Sequence, residues 1–313
     1  PPNKVEPAAG GAKVDAVPLE YASVEGVLLF KDRVTSSWFP LARRSILRGA
    51  DWIAAPEPFD STLVVNNGQA TITVQAGSIL QVSAPSAEAA FGFDMRYGRL
   101  LIQTRPAAAV DGDQPSLILS LNEGNERWLL EVNGVDTLCA LEVTAKEPEA
   151  FEQELGTNRW SGRLSVPAGT VTLTEPSGRK LVLDAKSAVS LSPTTDVPVQ
   201  NAVIQDAEMP RWIEQTAIRS PNRRYAVQFE KEFDPKQPVA ATLPAIVNSP
   251  TFQLSELATR ALGLTSNGPA LVQALSRAPH KEARLPAISG LRLWLAASVE
   301  NGPKSTAEPN RPF

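Results

Sequence analysis

The sequence predicts an all-β sandwich or jelly-roll-like domain followed by a small all-α C-terminal domain. Three observations lead there. More than ten short apolar, β-rich runs recur at intervals of roughly 8 to 12 residues, the rhythm of stacked antiparallel strands. Proline makes up 27 of 313 residues, against an average of about 5%, so turns and edges are frequent. Beyond residue 200 the apolar residues recur every three or four positions, which is helical spacing.

Residues 1–19 are rich in Pro, Ala, Gly and Lys without an apolar period and read as a flexible linker. The β-sandwich domain is expected over 20–200. Its first runs lie at 26–30, around Trp38 and Phe39, and at 51–54, parted by polar and Pro-bearing turns. Runs at 61–65 and 69–74 flank Asn66-Asn67-Gly68. Glycine accepts the positive φ of a tight turn, so these two form a hairpin. Further strands are expected at 78–82, 90–95, 98–104, 117–121 and 127–132, then at 137–143, 159–166, 170–174, 180–184 and 188–191. Helical spacing follows at 222–229, 239–247, 251–262, 269–277 and 281–299, within a helical domain over 201–302. In the last of these, Leu285, Ile288, Leu291, Leu293, Trp294 and Leu295 mostly fall on one broad face, as packing against neighbours requires. Residues 303–313 are polar and form a frayed tail.

Charge and composition narrow the function. Thirty Lys plus Arg against 34 Asp plus Glu give a net charge of -4, which argues against a strongly basic nucleic-acid binder. One Cys and one His, Cys139 and His280, leave no internal disulfide and no Cys/His zinc cluster within a single chain. No apolar run reaches the ~18 residues of a membrane span. The start at Pro1-Pro2-Asn3 suggests a processed form or fragment, with any signal or membrane anchor lying upstream. No cofactor is expected, because the P-loop, nucleophile-elbow and dinucleotide-binding glycine patterns do not occur.

The residues with chemical promise each have a plainer reading. Ser177-Gly178-Arg179-Lys180 has Ser-x-x-Lys spacing, but it lies between two β runs and reads as a hairpin turn. Asp111-Gly112-Asp113 offers oxygens for calcium yet lacks the further carboxylates of a calcium loop. His280 has no Ser or Asp beside it in any hydrolase pattern. Glu123, Glu126 and Glu131 are candidates for a glycosidase carboxylate pair, or else a solvent-facing strand edge. Arg43, Arg44 and Arg48, and Arg219, Arg223 and Arg224, fit anion binding or intramolecular ion pairs. Trp38, Trp52, Trp128 and Trp160 fit either a sugar-stacking platform or core filling.

The run 38–82, with the alternation of apolar residues around Asn67-Gly68-Gln69 in 60–78, resembles the FecR-like domain of bacterial periplasmic signalling proteins. So do Tyr97-Gly98-Arg99-Leu100-Leu101-Ile102 and the stretch 163–173, which are similar to that family's Gly-then-β segments. The family's usual Asp-Gly-Ser turn stands here as Asn67-Gly68-Gln69. The resemblance covers about half of the chain, has room for two FecR-like halves, and implies a non-enzymatic periplasmic domain that relays a signal through protein contacts. Residues 252–264, 269–275 and 280–292 resemble HEAT-like helical repeats, which imply a contact surface. The expectation is a non-enzymatic envelope protein with a protein partner, no nucleic acid, and a membrane link only through an upstream anchor. A carbohydrate-binding sandwich using exposed Trp is the alternative, and a glycosidase the third reading.

Overall fold

The computed structural model describes residues 16–65, 68–105, 116–123, 126–145, 160–191, 202–215, 223–265, 268–277, 281–285, 287–288 and 291. The chain opens with β1 (Ala16–Tyr21), β2 (Leu29–Lys31), β3 (Trp38–Pro40), β4 (Ile46–Arg48) and β5 (Trp52–Ala55). The hairpin β6 (Ser61–Val65) and β7 (Ala70–Val74) follows in the expected place, with Val65 opposite Ala70, and then β8 (Ser78–Ser83). Next come β9 (Phe91–Thr104), β10 (Ser116–Glu123), β11 (Glu126–Ala145) and β12 (Trp160–Thr174). Strands β13 (Lys180–Leu183), β14 (Ser187–Leu191) and β15 (Val203–Ile204) complete the sheet.

Three long strands change partners midway, and this folds one continuous sheet into two facing layers. The first half of β9 lies between β8 and β10; its second half, from Gly98, lies between β7 and β11. Strand β11 pairs with β10 up to Asn133 and with β9 from Leu138, while β12 pairs with β14 before Gly169 and with β13 after it. The first layer therefore runs β3-β2-β5-β8-β9-β10-β11-β12-β13 and the second β4-β1-β6-β7-β9-β11-β12-β14-β15. Among the described residues all pairings are antiparallel except β9 with β10. The crossings sit at Gly98, Gly134 and Gly169, with φ of 124°, 77° and 79°, a backbone that residues with a Cβ rarely adopt. Close approach adds a second reason at two of them: a Cβ on Gly98 would stand 2.4 Å from Ser78, and one on Gly169 2.1 Å from Thr137 Oγ1.

Alternation then decides what is buried. Leu80, Phe93, Leu119, Leu130 and Leu173 from one layer meet Leu63, Ile72, Ile102, Leu141 and Leu164 from the other in a single core. At the β3-β2-β5-β8 end the opposite face is buried too. There Leu29, Trp38, Ala54 and Ile79 point outward beneath α2 (Arg223–Glu230), α3 (Val239–Val247), α4 (Phe252–Leu264) and α5 (Gly268–Arg277). Phe229, Leu243, Val247, Leu262 and Leu271 supply the helical side of this second core. Arg43 pairs with Glu230 at 2.8 Å and Arg260 with Glu57 at 2.6 Å across the same seam. The short helix α1 (Arg211–Gln215) places Trp212 near Arg99 of β9, whose guanidinium lies 5.5 Å from the ring centroid.

Several boundaries differ from expectation. Strand β1 begins at Ala16, inside the stretch read as linker, because Val17, Leu19 and Tyr21 alternate into the core. The paired runs at 90–95 with 98–104, 127–132 with 137–143, and 159–166 with 170–174 are each one strand, since a glycine bends it without ending it. Strands β4 and β15 were not expected; they are three and two residues long and too short to show a period. The helix expected at 281–299 begins as a 3-10 turn at Lys281–Ala283, and most of the remainder lies outside the described residues.

Candidate functional site

Two of the four tryptophans, Trp38 and Trp128, are buried away from any exposed platform. Trp128 is 2% exposed and Trp38 8%, the first in the core between the layers and the second under the helices. Both are fillers, as large apolar rings on inward positions should be. Trp52 is half-buried against the second core with the Arg96 guanidinium 4.7 Å from its ring centroid. Trp160 opens β12 opposite Ala145, and its side chain lies outside the described residues.

Of the carboxylate candidates, two share one hairpin end and the third lies further along β11. Glu123 and Glu126 face each other across the β10–β11 hairpin end, and the Glu123 side chain is outside the described residues. Glu131 lies between Ile118 and Thr172, so β11 is an interior strand and not the edge expected. Arg43 donates to the Ser23 carbonyl (3.2 Å) and to Glu230 Oε1 (2.8 Å), which makes it a seam ion pair. Arg44 and Arg48 are exposed. Asp111, Asp113, Arg219 and His280, and the side chains of Arg223 and Arg224, fall outside the described residues. Among the described residues no three His, Cys, Asp or Glu side chains cluster as metal ligands, and no helix is long and apolar enough to cross a membrane. Cys139 is fully buried in β11, and burial pushes its thiol up to about 12.

Ser177 sits where the sequence placed a turn. Gly178 N donates to the Glu175 carbonyl and Glu175 N to the Arg179 carbonyl, both at 2.8 Å, with Gly178 at φ 84°. Those bonds set the phase of the strand that follows. Glu175 and Arg179 are a hydrogen-bonded pair, and bonded and non-bonded pairs alternate along an antiparallel ladder. Leu181 and Leu183 therefore bond to Leu173 and Val171, while Lys180 and Val182 stand at non-bonded positions opposite Thr174 and Thr172. The N–H and C=O groups of Lys180 and Val182 point away from β12.

The other three strand edges among the described residues are blunted. Strand β3 has three residues and ends in Pro40, which has no N–H to offer. Beside β4, Ala50 N donates to Val82 O (2.6 Å) and Val82 N to Asp51 O (2.8 Å), tying that edge to β8 in the facing layer. Strand β15 has two residues, and the chain after it is held by Ala207 N to Lys186 O (2.8 Å) and Arg163 to the Glu208 carbonyl (2.9 Å). Along β13, among the described residues, no backbone group bonds on the outer side. Its side chains there are accessible: Lys180 and Asp184 are exposed and Val182 is 56% exposed. Lone apolar surface residues are ordinary, but here one sits between a cation and an anion on an edge that is unpaired among the described residues.

No protein-family model matches this chain, and no curated protein matches it significantly.

Proposed function

We propose that this chain is a binding module of the bacterial envelope that works by protein contact and not by catalysis. Strand β13 is the place where an extended segment of a protein partner adds to the sheet. The observation that carries this reading is the outward-pointing main chain of Lys180 and Val182 on an edge with no neighbour among the described residues. Main-chain pairing supplies affinity in such a contact, and the alternate side chains supply selectivity. The envelope setting, periplasmic and relaying a signal, is supported by the resemblance of 60–78, 97–102 and 163–173 to FecR-like domains.

The edge also defines the chemistry of its partner. An antiparallel strand would set an acidic residue against Lys180, an apolar one against Val182 and a basic one against Asp184. Read along the partner's own chain, that is base-x-apolar-x-acid. A photoreactive residue placed at position 182, in cells that make the protein, is expected to form protein adducts. The same group at Val34, which is 91% exposed in the β2–β3 turn at the far end of the layer, is the control. Absence of adducts at 182, or equal labelling at both positions, would refute the reading.

A further inference from the structure

We infer that the partner of the β13 edge is a second copy of this chain, an inference that rests on the edge reading above. The motif the edge demands, base-x-apolar-x-acid, is carried by the edge itself as Lys180-x-Val182-x-Asp184. Two β13 strands placed antiparallel about a twofold axis at Val182 bring Val182 opposite Val182 of the second copy, and Lys180 opposite its Asp184 twice over. The self-complementary patch is what a twofold interface requires, since each surface must accept itself.

The phase of the ladder fits this register and no odd-numbered shift of it. Residues 180, 182 and 184 share one parity, so in this register all outward main-chain groups meet outward main-chain groups. Val182 exchanges two N–H to O=C bonds with its counterpart. Each Asp184 N–H then faces the Lys180 carbonyl of the other copy, for a ladder of four bonds. The Asp184 carbonyl is already used by Ser187 N at 3.0 Å and is not counted. Asp184 Oδ1 accepts from Thr170 Oγ1 at 3.2 Å, which steadies the carboxylate on the face where Lys180 also projects. A slip by one residue would oppose bonded with unbonded groups and turn Val182 away from its mate. Leu181 and Leu183 stay in each copy's own core throughout.

Sedimentation velocity across a concentration series is expected to show a monomer–dimer equilibrium. Val182→Pro removes an N–H that the native ladder does not use, as edge prolines do, and should weaken dimerisation about tenfold or more with circular dichroism unchanged. Val182→Glu is the second variant; it sets two carboxylates face to face without touching the core and should have the same effect. Lys180→Asp and Asp184→Lys should each weaken the dimer by placing like charges opposite one another, and the double exchange should restore it. Restoration is the decisive result, because a charge swap within one chain can be rescued only by a partner carrying the same swap. A wild-type chain that stays monomeric at every concentration, a dimer indifferent to Val182→Pro and Val182→Glu, or failure of the double exchange would each overturn the inference. The two readings separate cleanly: a monomer whose position 182 crosslinks to a different protein loses the self-pairing and keeps the edge, and a monomer without adducts loses both.

Discussion

Phe229→Ala tests whether the helices and the sandwich are one folded body. Phe229 is fully buried at the end of α2, its ring stacked on Phe59 at 6.0 Å with 7° between planes and edge-on to Phe233 at 5.0 Å and 75°. Phe59 belongs to the sheet side of the seam and Phe233 to the helical side. Truncating a fully buried Phe to Ala costs about 3–5 kcal/mol, transfer and cavity together. Ring pairs such as these two account for about 0.5–1.5 kcal/mol each beyond area, so a loss near 4 kcal/mol is expected. Urea unfolding followed by tryptophan fluorescence and by far-ultraviolet circular dichroism measures it, and the two midpoints should move together, because Trp38 lies in the same seam. Combining the substitution with Phe59→Ala should give less than the sum of the two, with a coupling of about 0.5–1.5 kcal/mol. A loss below about 1 kcal/mol, the range of ordinary surface changes, or additivity within error would mean that the helices do not rest on β2, β5 and β8 as described.

Gly98→Ala and Gly169→Ala combine a positive φ with a steric clash and should each cost more than about 2 kcal/mol by thermal melting. Gly178→Ala, at φ 84° but with nothing within 4 Å, should cost only about 1 kcal/mol, so equal losses at all three would discredit the crossings. Cys139 should resist thiol reagents in the folded protein and react once urea unfolds it; rapid native labelling would contradict its burial. Burial raises Tyr97 to about 12 and also raises Tyr21, whereas an unfolded tyrosine titrates near 10. Stability should therefore hold up to about pH 10 and fall as pH climbs through the folded values, because the unfolded chain releases these protons first. An absorbance titration in which every tyrosine ionises near 10 would disprove it. Arg260→Ala removes ion pairs to Glu57 and Glu256 whose side chains are 29–40% exposed, and is expected to cost no more than about 1 kcal/mol.

The β character of the chain was legible because alternation is local: Leu63, Val65, Ile72 and Val74 announce their strands whatever lies across from them. The crossings were not legible as crossings. Gly98, Gly134 and Gly169 look like ordinary strand breakers in sequence, and only long-range pairing shows that the strand continues through each into the other layer. The second core was hidden for a related reason. Leu28 with Leu29, and Ile53 with Ala54, are adjacent apolar residues serving opposite faces, and such runs show no period. At the candidate edge the hairpin around Ser177 was readable from turn chemistry, as was the strand at 180–184. That this strand has no outer neighbour among the described residues depends on where β3, β4 and β15 lie, which no local pattern encodes.

A lysine on an edge strand has a second physical use, since natural sheets place it there to discourage pairing. The two uses of Lys180 differ in sign. If it is a guard, replacing it with an apolar β-former leaves two apolar residues, at 180 and 182, on the outer face of a flat edge, and association should strengthen and lose its saturation at the dimer. If it is a recognition element, Lys180→Val deletes one charge pair on each side of the twofold, and the dimer should weaken while remaining a dimer. The geometry favours recognition. A guard works best unpaired and inward-pointing, whereas Lys180 lies on the outer face two residues from Val182 with Asp184 at the mirror position, its carboxylate held by Thr170. Opposite-charge cross-strand pairs contribute about 0.2–1 kcal/mol each, so Lys180→Val should weaken dimerisation by roughly two- to thirtyfold across two such pairs. Tighter association of that variant by sedimentation, or growth past the dimer, would assign Lys180 to the guard and remove the charge argument for self-pairing.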